Sequence, residues 1–225
     1  MSAMPHGQLM PQGRSVGFQG SAFVRDLKTL PDFESAFAPW PEAVKCPVRL
    51  IGIRGALEPI AGQNAFERYD DLIAVMIKGS APRSWRASTD PSRALVRHPI
   101  NANGAAQLLP GCWWMEKHFL HGDPLKKCLG QSRDVVVARL DGSGQRTGVE
   151  HGQFGICIHS GGAGIDTGRF SAGCQIVANN DGYFGQPSWG NFILPIRQAM
   201  DRFGLREVPY LLIEEGGYGE PSPGI

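Results

Sequence analysis

Between Gly155 and Val177 the chain reads GICIHSGGAGIDTGRFSAGCQIV. An apolar run, Ile156-Cys157-Ile158, ends at His159. A glycine-rich segment with Gly161, Gly162, Gly164 and Gly168 follows, and Ser171-Ala172-Gly173-Cys174 leads into Ile176-Val177. Short apolar runs bounded by turn residues read as strands. The stretch is therefore a strand, a loop and a second strand or turn. His159 ends the first strand, Cys174 begins the second, and the loop can fold back to bring the two side chains together.

That pairing has a chemistry. A free thiol has a pKa of ~8.5 and is mostly protonated near neutral pH. A neighbouring imidazole takes the proton and leaves a thiolate nucleophile. Gly173 lets the backbone before Cys174 approach a substrate carbonyl, and amides around Cys174 can hold an oxyanion. Loss of one such donor typically costs ~3 kcal/mol of barrier. The bland alternative is a buried, inert thiol and a turn histidine, because cysteine is among the most buried residue types.

The rest of the chain points to many turns and short strands. Thirty glycines and seventeen prolines leave little room for long helices. Val48–Ile53, Ser84–Thr89, Cys112–Met115, Asp134–Leu140 and Val208–Ile213 read as strands, and Ala94–Val96 as a continuation of the sheet. Gly152–Ile158 reads as the strand delivering His159, hairpinned to Val135 and beyond. Two helices are expected. One spans Asn64–Lys78, with Phe66, Tyr69, Leu72, Ile73 and Met76 on its apolar face, Asn64 as cap and Gly79 as stop. Its Glu67, Arg68, Asp70 and Asp71 would form a solvated face. The other carries Phe192, Ile196, Ala199, Met200 and Phe203, with Pro195 tolerable only in the first turn.

Residues 1–20 read as a flexible tail or docking arm, 21–215 as a single catalytic domain and 216–225 as a Gly/Pro-rich C-terminal tail. Hydrophobic content of 42% and charged content of 19% suit an ordinary globular domain. A net charge of +1 gives no field to draw the chain to nucleic acid. No stretch approaches the ~20 apolar residues of a membrane span, and the N-terminal sequence lacks a secretory-signal pattern. Five cysteines, Cys46, Cys112, Cys128, Cys157 and Cys174, do not suggest a disulfide framework. Cys112, His118, His121 and Cys128 contain zinc-type ligands, but their C-x5-H-x2-H-x6-C spacing lacks a paired C-x2-C. They are read instead as a core cysteine and loop histidines, with Trp113 and Trp114 as a candidate substrate wall. Asp141-Gly142-Ser143 fails the calcium-loop pattern because Gly152 occupies position twelve. No cofactor or metal is expected.

His159-Ser160 and Ser171-Ala172-Gly173-Cys174 resemble the catalytic motif of the L,D-transpeptidases, the YkuD family. The His-before-Cys order separates them from NlpC/P60, CHAP and papain-like hydrolases, which run Cys before His. Two positions depart from the family pattern: Ala172 stands for a histidine and Ile176 for an arginine. The resemblance implies a mainly β (α+β) domain, a mixed β-sandwich with few helices. It implies Cys174 as nucleophile, His159 as base and Ser160 orienting the imidazole through its backbone carbonyl. Gly173, Gln175, Ser171, Gly161 and Gly162 become the oxyanion and substrate-binding set. The implied function is acyl transfer on peptidoglycan stem peptides through a thioacyl-enzyme, ending in transpeptidation or hydrolysis. Without a signal peptide, the protein would be made in the cytoplasm and delivered to the cell wall by a phage particle, lysis system or secretion machine. The alternative expectation is a non-catalytic wall-binding or structural component of a phage or contractile injection particle on the same fold.

Overall fold

The computed structural model describes residues 35–57, 66–162, 166–179 and 189–214. Both expected tails, and the Asn64 cap, lie outside these residues. The chain is mainly β with few helices. In order it runs through α1 (Pro41–Lys45), β1 (Val48–Arg54), β2 (Asp71–Ile77), β3 (Arg83–Ser88), α2 (Arg93–Arg97), β4 (Ala105–Leu108) and β5 (Gly111–Phe119). It continues through β6 (Lys127–Gln131), β7 (Val135–Leu140), β8 (Arg146–Gly152), β9 (Cys157–Ser160), β10 (Gln175–Val177), α3 (Trp189–Arg202) and β11 (Glu207–Glu214).

Eight strands close into one barrel-like sheet in the order β1-β11-β5-β6-β9-β10-β3-β2, and β4-β7-β8 form a separate three-stranded sheet. The expectation was two stacked layers; here the large sheet joins its own ends, because β1 pairs β2 on one side and β11 on the other. Period-2 alternation then sorts the side chains. Leu50, Ile73, Val75, Trp85, Met115, Leu129, Ile158, Val177, Tyr210 and Leu212 belong to the main core, which Phe192, Ile193 and Ile196 of α3 share. The alternate residues Ile51, Ile53, Leu72, Ala74, Met76, Leu211 and Ile213 form a second cluster with Phe37, Trp40 and Ala43. The segment before β1 thus covers the sheet's outside.

This two-sided burial explains the largest correction. The helix expected over Asn64–Lys78 is absent where it is described, and Asp71–Ile77 is a strand. Leu72-Ile-Ala-Val-Met-Ile77 is buried almost throughout. A strand covered on both faces is a continuous apolar run, and such a run also satisfies a helical spacing. Asp70 and Asp71, expected in solvent, are buried, while Glu67 and Arg68 are exposed.

Three further expectations change. Residues 94–96 belong to α2, not to a sheet. Pro195 lies inside α3, beyond its first turn. The Gly152–Ile158 strand is two strands: β8 ends at Gly152 in the small sheet, and β9 starts at Cys157 in the large one. Gly155, at φ +69°, bends the chain between them, a conformation that favours glycine. No helix among the described residues is long and apolar enough to cross a membrane.

Candidate active site

β9 and β10 are parallel neighbours, pairing Gln175 with Ile158 and Ile176 with His159. A parallel pair needs a long connection, and residues 161–174 supply it. That connection is pinned from outside. Thr167 N–H donates to Glu67 O at 2.9 Å and its hydroxyl to Phe66 O at 2.9 Å. β6 holds the other side of β9, pairing Leu129 with Ile158. Ile156 and Ile158 enter the main core, so Cys157 and His159 share the opposite face of β9.

His159 is 4% exposed, which shields the ring from bulk water. Its Nδ1 lies 2.8 Å from Ser160 O. A carbonyl only accepts, so Nδ1 carries a hydrogen and the neutral ring has its lone pair on Nε2. The ring neighbours the Cys174 thiol and works to lower its pKa. His159, Ser160 and Cys174 are therefore brought together.

The Cys174 sulfur also accepts the Cys157 N–H at 3.4 Å and lies 3.9 Å from Gly155 O. It is half-buried. Its thiol is nevertheless pushed up: the neighbouring Cys157 thiol contributes most, then burial, with His159 opposing both. Cys157 in turn neighbours Cys128. Cys157 lowers the Cys128 thiol, while Cys128 contributes most to raising Cys157 to about 12. Adjoining thiols titrate together, so the first proton leaves more readily than the second and third. Ionising Cys174 itself depends on His159.

The proposed substrate-binding residues have other occupations. Ser171 is fully buried; its hydroxyl donates to Cys174 O at 2.6 Å and accepts Gly173 N–H at 3.2 Å. Its backbone exchanges bonds with Ser92, N–H to Ser92 Oγ at 3.1 Å and O from Ser92 N–H at 2.8 Å. It shapes the turn that presents the thiol. The Gly173 amide, spent on Ser171, is not directed at a ligand. Gly173 has φ +148°, and a Cβ there would sit 2.5 Å from Ala106 O. Its close approach is to β4 rather than to a substrate. Gln175 points into the barrel, donating to Thr89 O at 3.3 Å and accepting from the Tyr210 hydroxyl at 3.0 Å. Gly161 and Gly162 leave room for the Tyr69 and Phe170 rings.

A cleft of about 350 Å³ borders the site. Ala172 and Phe154, next to Gly173 and Gly155, form part of its wall, with Ile100, Asn101, Ala106 and Arg139 among the others. Arg139 stacks on the Phe154 ring at 5.1 Å and pairs with Glu150 at 2.6 Å. No family model, curated protein or solved structure matches the chain.

Sequence reasoning missed Cys157, Cys128 and this cleft. Cys157 was within reach, since it precedes His159 by two residues and strand alternation puts both on one face. Cys128 was not, because its place depends on the β6–β9 register. Of the aromatic wall, Trp113 is fully buried, its indole donating to Leu109 O at 2.9 Å, so it cannot line a groove. Trp114 lies under Arg133 at 4.3 Å. His118 is exposed and pairs with Cys128 across β5–β6. Among the described residues no three His, Cys, Asp or Glu are arranged to hold a metal ion.

Proposed function

We propose that the protein is a cysteine acyl-transfer enzyme of the L,D-transpeptidase type, acting on peptidoglycan stem peptides. The observation that carries this reading is the Nδ1–H bond from His159 to Ser160 O, with the same ring next to the Cys174 thiol and lowering its pKa. It fixes the tautomer that can take the thiol proton. Cys174 Sγ attacks a peptide carbonyl beside a D-centre as its proton passes to Nε2. On this reading a backbone N–H beside Cys174 donates to the oxyanion. Collapse breaks the C–N bond, and the leaving amine takes the proton from His159. The thioester is then resolved by an amine, giving a cross-link, or by water, giving hydrolysis. On this reading the closed sheet is a variant of the family's sandwich. The cleft beside Ala172 and Phe154 takes the peptide, and a particle or secretion machine carries the protein to the wall.

One observation favours the alternative, a non-catalytic wall-binding or particle component. The Cys157 thiol and burial both oppose ionisation of Cys174. Incubation with sacculi and muropeptides beside Cys174→Ala, read by mass spectrometry, separates the two. Loss of a terminal D-residue or a new cross-link, absent in the variant, supports the enzyme. Retention on sacculi without any product, with the protein folded and reduced, sinks it.

A further inference from the structure

Cys157 is a thiol that the acyl-transfer reaction does not use, yet it is built against the nucleophile. In the parallel β9–β10 ladder Gln175 faces Ile158, so Cys174 and Cys157 are the next positions along. Neighbouring strands lie ~4.8 Å apart, and a disulfide spans Cα separations of roughly 4.4–6.8 Å. The sulfurs converge on one carbonyl, Gly155 O, at 3.9 Å from Cys174 and 3.5 Å from Cys157. The Cys174 sulfur also accepts the Cys157 N–H at 3.4 Å. Cys157 is buried, whereas Cys174 is the more exposed of the pair. An oxidant entering from solvent therefore meets Cys174 first and finds Cys157 waiting. Cys46 makes no such contact; its thiol donates to Val48 O at 3.0 Å.

We propose that Cys174 and Cys157 form a peroxide-responsive pair, in which Cys157 is the resolving thiol that closes an oxidised Cys174 into a reversible disulfide. His159 takes the Cys174 proton, and the thiolate attacks the terminal oxygen of a hydroperoxide. The O–O bond breaks, an alcohol (or water, from hydrogen peroxide) leaves with that proton, and Cys174 becomes a sulfenic acid. The Cys157 sulfur then attacks the Cys174 sulfur and the S–O bond breaks. Water leaves carrying the Cys157 proton. The two thiols lose two electrons and the peroxide gains them. Without a resolving thiol, a sulfenic acid proceeds to sulfinic and sulfonic acids that reductant does not reverse. The consequence for activity, a nucleophile switched off and recovered, rests on the acyl-transfer reading; the thiol chemistry does not.

The test uses the full chain, reduced and then exposed to hydrogen peroxide, with alkylation, intact mass and non-reducing peptide mapping. The expected result is a loss of two hydrogens, a Cys157–Cys174 linked peptide and full return with dithiothreitol. Alkylation of Cys174 falls by an order of magnitude in the oxidised form. Cys157→Ser gains two or three oxygens at Cys174 that dithiothreitol does not remove, and Cys157→Ala serves if the serine variant fails to fold. A wild type over-oxidised at Cys174 as readily as the variant overturns the proposal, as does a link that joins Cys128 to Cys157 instead. Because mass is the readout, failure here is separate from failure of the reduced protein to turn over muropeptides.

Discussion

Replacing Arg54 with methionine keeps most of the side-chain volume and removes a charge from one end of the barrel. Arg54 is 1% exposed, so no water compensates for what is lost. Its Nε lies 3.2 Å from Asp90 Oδ1 and donates to Thr89 Oγ1 at 3.0 Å. Nη1 donates to Glu214 at 2.6 Å, and Nη2 donates to Thr89 O at 2.7 Å and Leu108 O at 2.9 Å. Asp71 is held beside it by Gly55 N–H at 2.6 Å and by Thr89, N–H at 2.5 Å and hydroxyl at 2.8 Å. Burial opposes the guanidinium charge, but Asp90, Glu214 and Asp71 together raise its pKa. Burial, then Asp90, push the Asp71 carboxyl up to about 7, with Arg54 and the N–H donors opposing.

Removing one partner of a buried ion pair costs about 3–5 kcal/mol, out of a total that is typically ~5–15 kcal/mol. Urea unfolding should show a deficit of that size near neutral pH. Its sign with pH follows from proton binding. Without Arg54 the Asp71 carboxyl has a folded pKa raised further above its unfolded value of ~3.9. The native state then binds protons the unfolded chain does not. That contribution is fully present below the unfolded pKa and is lost as pH rises through the folded one. The deficit should therefore shrink as pH falls from about 8 toward 5. Arg54→Met with Asp90→Asn should recover part of it. A deficit under about 1 kcal/mol, the scale of an exposed pair, or one that does not change with pH, refutes the view of Arg54 as the cation that offsets these acids.

Gly173→Ala places a Cβ 2.5 Å from the Ala106 carbonyl oxygen. An overpacked site of this kind typically costs ~1–3 kcal/mol, seen in urea unfolding, and Cys174 alkylation should change with it. Gly79→Ala, at φ +84° but with nothing within 4 Å, is the control and should lose only the backbone preference, about 1 kcal/mol. His159→Ala removes the contact that lowers the Cys174 thiol, so its alkylation by iodoacetamide should slow and the pH profile should move to higher pH. An unchanged profile means that the ring does not control the thiol.

Much of the sheet was legible because apolar runs and turn residues mark short strands directly. β1, β3, β5, β7 and β11 stand close to where Val48, Ser84, Cys112, Val135 and Val208 placed them. β2 was not legible, since a run buried on both faces carries no strand alternation, and its second cover comes from distant residues such as Phe37 and Trp40. The break between β8 and β9 was hidden for a different reason: a single glycine at positive φ sends the chain from one sheet to another. The nearness of His159, Ser160 and Cys174 could be read from motif order alone. The roles of Ser171, Gly173 and Gln175 could not, because a polar residue beside a nucleophile serves the fold or a ligand according to which face it occupies. Gln175 faces inward by strand parity, and only the register reveals that.

The sheet closes on itself, and β9 and β10 lie in its wall between β6 and β3. The spacing of His159 and Cys174 is therefore set by ladders on both flanks and not by the connection between them. That separates two tasks along the chain. The connection has its own anchors, Thr167 on the Phe66 and Glu67 carbonyls and the Ser171 hydroxyl on Cys174 O, and these close the final turn without setting the spacing of the pair. The barrel holds His159 and Cys174 in register.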